Sequence, residues 1–130
     1  MSFSSPGPAA AAAPLPVFDD AVFAILRGLD DDGAFVGELI DVFLSESPVR
    51  IAALHGFVGM GKLADLVSVA HALKGAGGTL GLPRFAAAAH DLEYAGREGR
   101  LPAKAALPRL ETEYAAAIRA LESRRPSNRG

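Results

Sequence analysis

Apolar residues recur at intervals of three and four along most of residues 17–122, and no segment shows the period-two alternation of a strand. A chain patterned this way buries its hydrophobic side by packing helix against helix, and its Gly and Pro residues divide it into lengths. Phe18-Asp19-Asp20 opens a short first helix through Ala21, Val22, Ile25 and Leu26, with an Asp as N-cap and Gly28 near its end. Asp30, Asp31, Asp32 and Gly33 start a second, with apolar residues at Val36, Ile40, Leu44, Ile51, Leu54 and Val58. Pro48 removes a backbone donor there, so a kink or a fresh start is expected, and Gly56, Gly59 and Gly61 are expected to form the following turn.

Leu63, Leu66, Val67, Ala70, Leu73 and Ala76 mark the buried side of a third helix ending near Gly77 to Gly81. Pro83 suits the first turn of a fourth, where Phe85, Ala88, Ala89, Leu92 and Ala95 face inward and Gly96 and Gly99 close it. Leu107, Leu110, Tyr114, Ala117, Ile118 and Leu121 form the last. The expected architecture is all-α: an antiparallel up-down four-helix bundle over residues 17–124 with a short additional N-terminal helix. Residues 1–16, rich in Ala, Pro and Ser, read as a disordered leader, and residues 125–130 as a flexible tail.

Composition narrows the function. Half of the 130 residues are hydrophobic but only 7% are aromatic, which suits one close-packed helical core of Ala, Leu, Val and Ile. Without cysteine there is no disulfide or thiolate metal site, and a cytoplasmic setting is expected. No apolar run approaches the ~20 residues needed to cross a bilayer, so no membrane association is expected. Residues 1–46 carry eight acids and one base, Arg27, whereas residues 47–130 carry seven acids and twelve bases. Neither half has the dense basic run with interleaved aromatics of a nucleic-acid surface, and a basic face for an acidic protein partner is the natural reading. No two of the three histidines share the spacing of a chelating pair, so no metal is expected.

The chemistry concentrates in Ala70-His71-Ala72-Leu73-Lys74-Gly75-Ala76-Gly77-Gly78. On a helix Lys74 and Gly75 lie one turn beyond His71 on the same face, which Ser68 and Gly78 extend. Interior glycines cost roughly 1 kcal/mol each relative to Ala, so their clustering beside a histidine asks for a reason, and close approach of a partner is one. A neutral imidazole is a nucleophile near neutral pH, and an adjacent ammonium balances an incoming phosphoryl group. Taken alone, a helical histidine such as His71 is more often a surface or satisfied core residue than a reactive one, and Lys74 is an ordinary solvated cation.

His90, Glu93 and Arg97 form a second polar stripe on the fourth helix. If that helix packs beside the third, Glu93 is placed to accept a hydrogen bond from one ring nitrogen of His71, leaving the other free to attack. The competing reading is a solvated face on which Asp91, Glu93, Arg97 and Glu98 make spaced ion pairs. His55, followed by Gly56, is expected to cap a helix or lie at the surface.

His-Ala-Leu-Lys-Gly, followed by Gly81 and then Leu92-Glu93, resembles the His-x-Leu-Lys-Gly signature of histidine phosphotransfer domains. The similarity spans about residues 33–122 and includes Phe43-Leu44 before Pro48. It implies His71 as phospho-acceptor, Lys74 as phosphoryl-stabilising cation and Gly75 as clearance residue. Glu93 and His90 match positions in the phosphotransfer domain of chemotaxis kinases, where the former hydrogen-bonds the acceptor ring. The resemblance implies a monomeric phosphocarrier of a two-component phosphorelay, not an enzyme, that exchanges a phosphoryl group with aspartates of response-regulator receiver domains. No cofactor of its own is expected; the Mg²⁺ would belong to the receiver. A hybrid or chemotaxis-type histidine kinase is the further partner implied. Two alternatives stay open: a phosphoryl-accepting module for a chemotaxis-type kinase, and a non-phosphorylated adaptor that binds receivers.

Overall fold

The computed structural model describes residues 14–29, 33–99 and 106–124. Within them the chain forms α1 (Asp20–Arg27), α2 (Ala34–Met60), α3 (Leu63–Thr79), α4 (Pro83–Arg97) and α5 (Ala106–Arg124), and no strand. The four long helices run up and down as an antiparallel bundle, with α1 as the short extra element. Residues 1–13 of the expected leader, the acidic run Asp30 to Asp32 and the tail 125–130 lie outside the described residues.

The Asp19 carboxylate caps α1 by accepting from the backbone N–H groups of Ala21 and Val22. The Asp19 N–H in turn donates to the Gly81 carbonyl at 2.8 Å, which ties α1 to the turn between α3 and α4. Phe18 and Phe23 meet edge to face at 4.9 Å, and the Arg124 guanidinium lies 4.1 Å from the Phe18 ring centroid. Thus α1 closes the end of the bundle where α3 hands over to α4 and α5 terminates. Phe23 is its buried residue, and Ile25 is exposed.

Neither a fresh helix start at Pro48 nor a turn at Gly56 and Gly59 occurs. α2 continues through Pro48, and Gly56 and Gly59 are helical; the turn is made by Gly61 alone, at φ 68°, whose N–H reaches back to the Phe57 and Val58 carbonyls. Ile40, Phe43, Ser47, Ile51 and Leu54 are buried on both sides of the proline, so tertiary packing outweighs the lost hydrogen bond and the poor propensity of glycine. His55 therefore lies inside the helix and caps nothing; its Nε2 is 2.9 Å from Glu111 Oε2 on α5.

α3 and α4 form the most intimate pair, and two glycines allow it. A Cβ on Gly77 would lie 2.9 Å from Phe85 Cδ2 and 3.3 Å from the Ala86 nitrogen. One on Gly96 would lie 2.7 Å from Val67 Cγ2 and 2.9 Å from Leu66 Cδ2. Gly96 is thus a packing contact inside α4 rather than its terminus, which comes at Arg97 with Glu98 as C-cap. Phe43, Phe85 and Tyr114, with ring centroids 5.3 to 6.0 Å apart, join α2, α4 and α5 in the core.

Candidate functional site

The buried positions of α3 are Leu66, Ala70, Leu73 and Gly77. Each is followed at once by a more outward residue, so burial of that stripe sets His71, Lys74 and Gly78 along one outer flank. On α4 the buried face includes Leu92, Glu93 and Gly96. Glu93 lies at its edge, so the close approach allowed by Gly77 and Gly96 brings its carboxylate to the seam beneath His71.

Glu93 is 3% exposed, whereas the side chain of His71 is 63% exposed. His71 Nδ1 lies 3.0 Å from Glu93 Oε2. Arg97, one turn along α4, donates to the same oxygen from Nε at 3.2 Å and Nη2 at 2.6 Å. Lys74 Nζ is 2.9 Å from Oε1, an ion pair without the alignment of a good hydrogen bond. Burial alone pushes the Glu93 carboxyl up, but Arg97, Lys74 and His71 together outweigh it and hold the group at about 2, below its ordinary 4.5.

Protonation at the ring follows from these contacts. An ionised carboxylate has no proton to give, so in the contact with Glu93 it is Nδ1–H that donates. In the neutral ring Nε2 then carries the lone pair, on the solvent side of a side chain held at its other nitrogen. The single negative charge of Glu93 faces two cations, leaving the surroundings of the ring net positive. Such a site suits a nucleophilic nitrogen meeting an anionic electrophile.

Gly75 and Gly78 are exposed, and a Cβ at either would meet nothing within 4 Å. Ser68 is exposed one turn before His71. Between α2 and α3 a mainly apolar groove of about 220 Å³ is lined by Leu39, Val42, Phe43, Ala76 and Leu80 together with Glu46, Ser47, Arg50 and Thr79, so Ala76 and Thr79 line it beside the two open glycines of α3. His90 is exposed and is not brought into the cluster around Glu93. The structure thus gathers His71, Lys74 and Glu93 and leaves His90 aside. Arg97 joins the cluster through the ion pair with Glu93 that their four-residue spacing offers, although Glu93 is buried and not on a solvated face.

Among the described residues no group of three or more His, Asp or Glu side chains is disposed to hold a metal ion. No helix among them is long and apolar enough to cross a membrane.

The family model of the Hpt domain matches residues 38–123. Among solved structures, the chain is similar to the crystal structure of histidine-containing phosphotransfer protein B (HptB) from Pseudomonas aeruginosa PAO1. The two share 30% sequence identity with a TM-score of 0.80, over 88% of this chain and 98% of that one. No curated protein sequence matches the chain.

Proposed function

This chain belongs to the Hpt domain family, a family of phosphocarrier modules of phosphorelays, and we propose that it carries the phosphoryl group on Nε2 of His71, accepting it from a receiver-domain aspartate and passing it to another response regulator. The observation that carries this reading is the 3.0 Å contact between Nδ1 and the buried Glu93 carboxylate, which leaves Nε2 as the exposed nucleophile. In the transfer the Nε2 lone pair forms the N–P bond while the P–O bond to the donor aspartate breaks and its electrons return to that carboxylate. The reverse sequence delivers the group to the next receiver.

Lys74 stands one turn from His71 and balances charge on the arriving phosphoryl oxygens. The open backbone at Gly75 and Gly78, flanked by Ser68, admits the rim of the partner's acidic pocket, and the neighbouring apolar groove offers it packing area. Mg²⁺ belongs to the receiver in this reading and neutralises the phosphoryl group from that side. The protein acts in the cytoplasm as a monomer.

A second reading, a phosphoryl-accepting module for a chemotaxis-type kinase, is favoured by the Glu93–His71 bond but not by His90, which stands apart. Incubating the protein with ATP alone, with phosphorylated receivers and with such kinases separates the two. We expect acid-labile phosphate on His71 from phosphorylated receivers, none from ATP alone, and a slower reaction in Lys74→Ala. Labelling by kinases but by no receiver would favour the second reading, and labelling that survives in His71→Gln would overturn both.

A further inference from the structure

Glu93 is gripped more firmly than a histidine partner needs to be. Two nitrogens of one guanidinium, Arg97 Nε at 3.2 Å and Nη2 at 2.6 Å, converge on Oε2, the same oxygen that receives the His71 Nδ1–H bond. The second cation, Lys74, faces the other oxygen. The carboxylate is therefore held from both ends, and its rotation is restrained about the oxygen on which the ring depends.

The two cations are not equivalent in the reaction. A phosphoryl dianion on Nε2 competes with Oε1 for Lys74, since Lys74 and His71 occupy adjacent turns of α3. Arg97 approaches from α4, on the carboxylate side of the ring. When Lys74 turns to the phosphoryl group, Arg97 is the cation left to hold Glu93. Arg97 is open to solvent while Glu93 is buried, so a purely structural role for Arg97 would show as lost stability with no change at the His71 ring.

Resting on the assignment of His71 as acceptor, we infer that Arg97 is a positioning residue: its guanidinium pins Glu93 Oε2 against Nδ1 and thereby keeps the neutral ring protonated on Nδ1, with Nε2 open to attack. Without it the carboxylate turns toward Lys74 alone and the ring drifts toward the Nε2–H tautomer that free histidine prefers, in which the exposed nitrogen has no lone pair to offer.

Arg97 is 58% exposed, so its replacement leaves the core intact. The test compares the intact protein with Arg97→Gln and Arg97→Lys, using ¹⁵N-labelled histidine at a pH where the ring is neutral and the rate of phosphoryl acceptance from a phosphorylated receiver. In the starting protein Nδ1 should show the chemical shift of a protonated nitrogen and Nε2 that of an unprotonated one. Arg97→Gln should move both toward the opposite tautomer and slow acceptance several-fold, with little change in melting temperature, and Arg97→Lys should recover part of each. An unchanged nitrogen pattern, or a changed pattern with an unchanged rate, would overturn the inference. Failure of the acceptor assignment reads differently, as transfer that persists in His71→Gln, whereas the tautomer shift is measured without any transfer.

Discussion

The residue that carries most of the consequence is Glu93, a carboxylate buried without being neutralised. Its carboxyl group is held at about 2 rather than 4.5 because Arg97, Lys74 and His71 overcome the effect of burial. A carboxylate favoured in the folded state stabilises the fold above its unfolded value, and that contribution is lost as the pH falls from about 4.5 toward 2. The partners are open to solvent, so screening limits the effect to on the order of 1 kcal/mol. Urea midpoints measured between pH 6 and pH 3 should fall less steeply in Glu93→Gln than in the unaltered protein; equal slopes would mean that the clasp contributes nothing to the fold. The same substitution removes the acceptor for Nδ1–H as an anion and should slow phosphoryl acceptance at neutral pH. Sequence alone placed Glu93 opposite His71 only on the condition that the two helices adjoin. It left open a solvated stripe, because spacing along one helix does not say which flank a neighbour covers.

At the scale of the element, glycine has two opposite meanings in adjacent turns. Gly75 is open, so Gly75→Ala should raise helix stability by up to about 1 kcal/mol. Gly96 and Gly77 each lie where a methyl group would strike the facing helix, and Gly96→Ala should cost about 1–3 kcal/mol through overpacking. Thermal melts of Gly75→Ala and Gly96→Ala should therefore move in opposite directions, and a common direction would contradict the packing described here. The periodicity of apolar residues made all five helices legible. Where the expectation failed, at Gly56 and Gly59, local propensity pointed to a turn and the helix runs on to Met60. A glycine that ends a helix and one that admits a neighbour look the same in sequence, since the difference lies in the φ of the residue and in the partner across the seam. His55 lies at the surface, one of the two places expected of it, and caps no helix end because the helix runs on to Met60.

For the whole molecule, the α3–α4 seam, tightened by Gly77 and Gly96, sets a carboxylate under one nitrogen of an exposed imidazole and leaves the other nitrogen to a partner. The partner needs room as well as chemistry. Gly75→Gln should fold as the unaltered protein does, because nothing lies within 4 Å of the position, yet slow transfer from a phosphorylated receiver by obstructing its approach. Unimpaired transfer in that variant would move the docking surface elsewhere. Which atom receives the phosphoryl group can be read on the intact protein labelled with ¹⁵N-histidine and phosphorylated by a receiver. Phosphorus–nitrogen coupling should identify a phosphoramidate at Nε2 of His71, with Nδ1 still protonated; a phosphoryl group on Nδ1, or on His55 or His90, would contradict that assignment.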